Sequence, residues 1–302
     1  MVNISGKTRD SLISERDAFN EALVGWGSRS LRDLPWRSTR NPWRVLVSEV
    51  MLQQTPVRRV EPKYLEFVEL WPTPENLTQA QLSDLLKFWV GLGYPRRARN
   101  LYDAAHQIVN VHDGAVPSSL SQLMELPGVG PYTARAVMVF AFELQVGVVD
   151  TNVGRLLARW CGGPLQPKAA QELADDLVPA GDPWLWNQAL FDLAASICTK
   201  RDPQCTQCPA EAWCSWRGAG QDPADGSAGV GKKQSRFHGS DRQARGKLMK
   251  GLSEGPVRVA EASAVMGLSD DPNRCARLVD DLLSEGLLTI KDEVLLLGDL
   301  LQ

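Results

Sequence analysis

No stretch of the 302 residues is apolar over the roughly 18 positions a membrane-crossing helix needs. The first residues, Met1-Val2-Asn3-Ile4-Ser5, carry no apolar signal region, so a cytoplasmic location is expected. Strong net charge is also lacking: the formal value is -3. That balance gives no global sign of a polyanionic partner, so any such reading rests on local patches and motifs. Residues 10–216 show no alternating strand pattern, and no internal repeat is visible. What remains is an ordinary globular composition, 43% hydrophobic and 23% charged. The length suffices for two core-forming units, or for one large core with a small appendage.

Apolar residues recur at helical spacing in segments 44–52, 82–89 and 135–140. Pro72, Pro74, Pro117 and Pro127 punctuate them. Residues 10–216 therefore read as a mainly α unit of helices joined by short turns. Residues 217–240 read as a linker, rich in glycine from Gly218 to Gly231. Residues 241–302 read as three helices (241–253, 258–266 and 272–285) and a short hairpin, a small winged-helix-like unit.

Cys198, Cys205, Cys208 and Cys214 are spaced C-x6-C-x2-C-x5-C, and these are four of only six cysteines. Thiolates bind iron–sulfur clusters and zinc alike. All three histidines (His106, His112 and His238) lie outside the segment. A compact four-cysteine loop suits one cuboidal cluster; structural zinc and four buried thiols without metal are the alternatives. Cys161 and Cys275 stand alone and read as core residues. Leu126-Pro127-Gly128-Val129-Gly130 lies between two helical patterns. Two glycines one residue apart permit a tight turn and close approach to a ligand. The helix that follows opens with N–H groups that favour an anion, such as a DNA phosphate.

Taken in order, the hairpin Leu126 to Gly130, an aspartate twenty residues later (Asp150) and the four-cysteine loop resemble the helix-hairpin-helix DNA glycosylase superfamily. The resemblance covers about residues 25–216 and, within the iron–sulfur subgroup, is closest to the MutY-type adenine DNA glycosylases. Two features carry that finer match. One is Ser48-Glu49-Val50-Met51-Leu52-Gln53-Gln54-Thr55 after Leu34-Pro35-Trp36-Arg37; the other is Gly91-Leu92-Gly93-Tyr94 with Arg96, Arg97 and Arg99. Endonuclease III resembles the chain less at both, and its hairpin carries a lysine nucleophile where Tyr132 stands here. The resemblance implies a six-helix lobe over about 41–149, a cluster lobe from 10–40 and 150–216, and a 4Fe–4S cluster on the four cysteines. Such enzymes commonly end in a Nudix-like reader of 8-oxoguanine. Residues 241–302 look too short and too helical for one, as in the short actinobacterial form.

Cleaving an N-glycosidic bond requires that the leaving base be stabilised and the sugar cation balanced by negative charge. Two carboxylates in different environments meet both needs. Glu49 sits among Val45, Leu46, Val47, Val50, Met51 and Leu52, where burial favours its protonated form. Its proton suits N7 of adenine, an atom that thymine lacks. Asp150 reads as a helix N-cap, where the helix favours an anion. That anion would balance an oxocarbenium ion or bond C1′ transiently, with Tyr132 and Asn152 positioned to hydrogen-bond it or a water.

A base in a duplex must leave the stack to be reached. Gln54 and Tyr94 match the wedges that fill the gap, and Arg37, Gln53, Gly128, Val129 and Gly130 join them as DNA contacts. Arg96, Arg97 and Arg99 are expected on phosphate. Seven cations (Lys232, Lys233, Arg236, Arg242, Arg245, Lys247 and Lys250) with Asp241 as the one acid add backbone affinity. The expected enzyme is a monofunctional glycosylase for adenine opposite 8-oxoguanine or guanine. It would be a monomer on double-stranded DNA in the bacterial nucleoid, with no membrane partner. A T·G mismatch glycosylase, an endonuclease III-like lyase and a non-catalytic iron–sulfur DNA-binding protein are the competing readings.

Overall fold

Proline and short polar residues set most of the helix starts. The computed structural model describes residues 6–227 and 236–298. Helices α1 (Gly6–Ser14) and α2 (Arg16–Ser30) open the chain. Six more follow: α3 (Pro42–Leu52), α4 (Val57–Leu70), α5 (Pro74–Thr78), α6 (Leu82–Trp89), α7 (Arg96–Val111) and α8 (Leu120–Glu125). Then come α9 (Pro131–Phe140), α10 (Thr151–Cys161), α11 (Pro167–Leu177) and α12 (Pro183–Ser196), which lead into the cysteine loop. Proline occupies the first turn of α5, α9, α11 and α12, where its missing N–H costs no helical bond. Thr73, Ser119, Asp150 and Asp182 accept backbone N–H bonds at the starts of α5, α8, α10 and α12.

The chain divides into two units, residues 1–42 with 130–233 and residues 43–129 with 234–302. The first has a core of Phe19 and Leu23 from α2, Leu156 and Trp160 from α10, Leu173 and Leu177 from α11, and Trp186 and Leu193 from α12. Cys198, Cys208, Cys214 and Trp213 pack on it. Phe19 lies edge-on to Trp160 at 4.9 Å and to Trp213 at 5.7 Å, which ties the cysteine loop to the core.

This division differs from the six-helix lobe expected over 41–149. Residues 130–149 belong with the cysteine unit because their polar and aromatic partners are there. Arg135 on α9 bonds Asp175 at 2.7 Å, and the N–H groups of Gly147 and Val148 donate to Asp175 and Asn187. Phe140 lies edge-on to Phe191 at 5.8 Å. The expected linker over 217–240 also begins too early. Asp222 pairs with Arg159, Ala224 is buried, and the Ser227 hydroxyl accepts the Leu165 N–H. The middle of that linker, with Lys232 and Lys233, lies outside the described residues.

In the second unit, Trp43, Phe67, Trp71 and Phe88 form an aromatic cluster around α4 and α6. Residues 241–298 fold as α13 (Asp241–Glu254), β1 (Val257–Arg258), α14 (Ala262–Met266), α15 (Pro272–Ser284), β2 (Leu288–Lys291) and β3 (Val294–Leu297). The strands order β1-β3-β2, all antiparallel, with Leu288 opposite Leu297. The short β1 was not foreseen, because two residues give no alternation to read. This segment packs on α6. At Gly298 (φ 75°) a β-carbon would lie 2.9 Å from the Ser83 backbone nitrogen, so only glycine permits the approach.

Candidate functional site

Helix α3 is buried on nearly every side, and Glu49 goes into the interior with it at 6% exposure. Burial of a carboxyl among apolar groups penalises its charged form. The helix ends in a turn that places Gln53 half-buried and Gln54 exposed, with Gln54 at φ 55°. The last carbonyls of a helix have no partner within it. Here Arg97 of α7 supplies one, donating to Val50 O (2.7 Å) and Met51 O (2.8 Å). It also donates to Thr55 Oγ1, Leu92 O and Gly93 O at 2.9–3.0 Å. Burial pushes the Arg97 guanidinium down to about 10, which still leaves it a cation at neutral pH. Arg97 thus welds the turn after α3 to the 91–94 loop, where Tyr94 stands half-buried at φ 49°.

That geometry corrects the expectation of three phosphate-binding arginines. Arg97 is consumed inside, and Arg99 bonds both oxygens of Asp103 at 3.0 Å and Gly286 O at 2.9 Å. Arg96 remains exposed. Arg37 is corrected likewise. It is buried, and it grips Asp192 with two bonds of 2.7 and 2.9 Å. Burial alone would raise the Asp192 carboxyl, but the bonds from Arg37 and Arg32 outweigh it and hold the carboxyl below its usual range. A guanidinium held this way by an internal carboxylate ties the 35–37 turn to α12.

In the turn after α8, the Val129 N–H bonds Leu126 O at 3.1 Å. Gly128 lies at φ 76°, and a β-carbon there would meet the Asn100 side chain at 2.7 Å. The Val129 side chain is buried, so residues 128–130 offer a ligand mainly backbone. Gly130, with no side chain to cap, opens α9, and Tyr132 follows half-buried in its first turn.

Asp150 caps α10 as expected. Its Oδ1 accepts the N–H groups of Asn152 (2.8 Å) and Val153 (2.7 Å), and its Oδ2 accepts the Asn152 amide at 2.8 Å. Asn152 is held in turn by Arg155, which donates to Asn152 Oδ1 at 3.0 Å and to Cys198 O at 3.1 Å. A hydrogen-bonded path therefore runs from the cysteine loop to the carboxylate.

The sequence brings all four clustered cysteines to one pocket, lined also by Arg159, Trp160 and Trp216. Among the described residues no three His, Cys, Asp or Glu side chains converge closely enough for a single ion. The four thiols line one pocket, a donor set whose chemistry suits an iron–sulfur cluster or zinc. Burial raises the thiols of Cys198 and Cys205, and pushes Cys208 up to about 12. Thiolates there need compensating positive charge. Arg159, 1% exposed, donates to Cys198 Sγ at 3.1 Å and lies 4.4 Å from the Trp216 ring. Asp222 holds it with bonds of 2.6 and 3.0 Å. Sequence reading missed both: Arg159 sits in an amphipathic helix, and Asp222 in a stretch whose composition reads as linker. Cys161 and Cys275 lie apart as buried core thiols.

Residues 47–180 match the HhH-GPD superfamily of base excision DNA repair proteins. The chain is 41% identical over 288 residues to the adenine DNA glycosylase of Mycobacterium tuberculosis, covering 92% of this chain and 93% of that protein. It is 39% identical over 220 residues to the human adenine DNA glycosylase, covering 68% of this chain and 40% of that one. The solved structure of a thermostable thymine-DNA glycosylase matches with a TM-score of 0.65 at 33% identity, over 68% of this chain and 97% of that one.

Proposed function

Because the chain belongs to the adenine DNA glycosylases of the HhH-GPD superfamily, we propose that it hydrolyses the N-glycosidic bond of adenine mispaired with 8-oxoguanine or guanine. It is a base excision repair glycosylase with a mainly helical fold. The observation that carries the finer reading is Glu49, a carboxyl drawn into an apolar helix interior. From that position Glu49 acts as the general acid and delivers a proton to N7 of adenine. The electrons of the C1′–N9 bond pass to the base, and the sugar is left as an oxocarbenium ion. The Asp150 carboxylate balances that cation or bonds C1′ transiently, and a water completes the hydrolysis. Asn152, bonded to Asp150, and Tyr132 orient the carboxylate and the water.

The flipped adenine leaves a gap that Gln54 and Tyr94 fill, helped by Gln53. The backbone of Gly128, Val129 and Gly130 and the exposed Arg96 hold phosphate. Cys198, Cys205, Cys208 and Cys214 hold a 4Fe–4S cluster that shapes the loop between them. When bound, the cluster supplies rigidity and positive charge to the thiolates, and no step of the hydrolysis is routed through it. The protein acts as a monomer on duplex DNA in the bacterial nucleoid. Among the described residues no helix is long and apolar enough to cross a membrane. Residues 241–298 serve as a winged-helix-like unit.

The test is single-turnover incubation with duplexes carrying A·8-oxoG, A·G, T·G and thymine glycol, each with and without later alkali. Cleavage is expected after alkali and only on the two adenine mispairs. Tyr132 has no amine to form a Schiff base with C1′, so borohydride should trap no covalent complex at levels matching turnover. Thymine release from T·G would overturn the assignment of Glu49 to a purine.

A further inference from the structure

We propose that Arg242, the second residue of α13, is the positioning residue for Tyr94. The inference rests on the reading of Tyr94 as the wedge that fills the gap left by the flipped base. Arg242 Nη1 donates to the Tyr94 hydroxyl at 2.9 Å, across 148 positions of sequence. Both side chains are half-buried, so the bond is partly shielded from competing water.

A wedge must be stiff before DNA arrives, because any ordering left until binding weakens binding. The backbone under Tyr94 is already fixed. Arg97 and the Trp89 indole N–H both donate to the Gly93 carbonyl, at 2.9 and 3.1 Å, and Pro95 follows at once. A non-glycine residue at φ 49° persists only where its surroundings over-determine it. These contacts fix the Cα of Tyr94, and the Arg97 guanidinium lies 5.7 Å from the centre of its ring. The hydroxyl at the far end of the ring is where one further bond fixes the ring's direction, and Arg242 makes that bond.

Arg242 is itself well rooted. Ser240 caps α13, and the Gly239 N–H donates to Gln243 Oε1 at 2.7 Å. Asp241 next to it is gripped by Arg274 (2.7 Å) and Arg277 (2.8 Å) of α15. The segment is then pinned to the rest of its unit by Arg99 on Gly286 O and by Gly298 against Ser83. The small C-terminal unit thus acts on base-pair recognition through one guanidinium placed behind the wedge.

The experiment compares the full chain with Arg242→Ala, Tyr94→Phe, Tyr94→Ala and the Arg242→Ala/Tyr94→Phe double variant. Tyr94→Phe keeps the ring, leaves Arg242 in place and removes only the acceptor, so it tests the bond even if Arg242→Ala folds poorly. Three quantities are read: single-turnover adenine release, the fluorescence of 2-aminopurine beside the mispair as a gauge of wedge insertion, and the salt dependence of duplex binding. Arg242→Ala and Tyr94→Phe should each slow release about tenfold, the size expected for one charge-assisted bond. Both should lower the 2-aminopurine signal. The double variant should be no slower than either single variant, because both remove the same bond. The salt slope should not change. Multiplying effects in the double variant, or a slope lowered by about one in Arg242→Ala, would make Arg242 a phosphate contact and overturn the inference. Should Tyr94→Ala leave release and fluorescence unchanged, the wedge reading itself fails and takes this inference with it. A slow Tyr94→Ala beside a normal Arg242→Ala overturns only the role of Arg242.

Discussion

Four arginines that sequence alone treats alike have four different fates. Arg37 is clamped on Asp192, Arg97 bonds five oxygens, Arg99 bonds Asp103, and Arg96 stays exposed. Residues 96 and 99, three apart, share one face of α7, and residue 97 falls on another that turns inward, so their motif is one feature in sequence and two in space. Glu49 behaves differently, because the apolar run around it already says that it is inside. Its role makes a sharp prediction. Glu49→Gln keeps the size and the polar contacts but has no proton to donate to N7. Adenine release in a single turnover should fall at least about a hundredfold while duplex binding survives. Near-normal release by Glu49→Gln would remove Glu49 as the acid. The carboxylates and cysteines were legible because they sit in a fixed order and spacing. The α3 carbonyls that Arg97 bonds, Asp192 on Arg37 and Tyr94 on Arg242 were not, since they lie 46 to 155 residues away.

At the scale of elements, short caps and turns position most of the candidate site. Asp150 was legible as an N-cap, and the structure adds the path through Asn152 and Arg155 to the Cys198 carbonyl. The turn 126–130 was legible from its glycines, yet the reason for Gly128, the Asn100 side chain pressed against it, belongs to another helix. The segment after Cys214 misleads on composition. Glycine and alanine suggest a free linker, but Asp222, Ala224 and Ser227 fasten it beside the cysteine loop. The proposed cluster predicts that the purified full chain is yellow-brown and holds about four irons. Cys198→Ser should lose most of that iron and melt at a lower temperature, because metal binding and folding of such a loop are coupled. One tightly held zinc and no iron, in aerobic and anaerobic preparations alike, would replace the cluster with a zinc site.

At the scale of the molecule, the question for residues 241–298 is what kind of DNA contact their surface suits. A reader of 8-oxoguanine needs groups that satisfy the altered edge of that base, and each good base contact is worth about 1–3 kcal/mol of discrimination. The described residues 241–298 offer one three-stranded sheet and short helices. The surface of α15 is poorly suited to DNA. Asp270, Asp271 and Asp280 are exposed around it, and Arg274 and Arg277 pair with Asp241. The hairpin tip carries Asp292 and Glu293, also exposed. On α13, by contrast, Lys247 and Lys250 are exposed cations. Such cations attract phosphate without reading sequence, so they should add affinity and not selectivity. Lys247→Ala and Lys250→Ala should therefore each weaken duplex binding and lower the salt slope by up to about one. Each should slow adenine release from A·8-oxoG and A·G by the same factor at subsaturating enzyme, leaving the ratio of the two rates as it was. Asp280→Asn on α15 should change neither. If Lys247→Ala or Lys250→Ala lowered release from A·8-oxoG alone, α13 would be a lesion reader, and the division of labour argued here would be wrong.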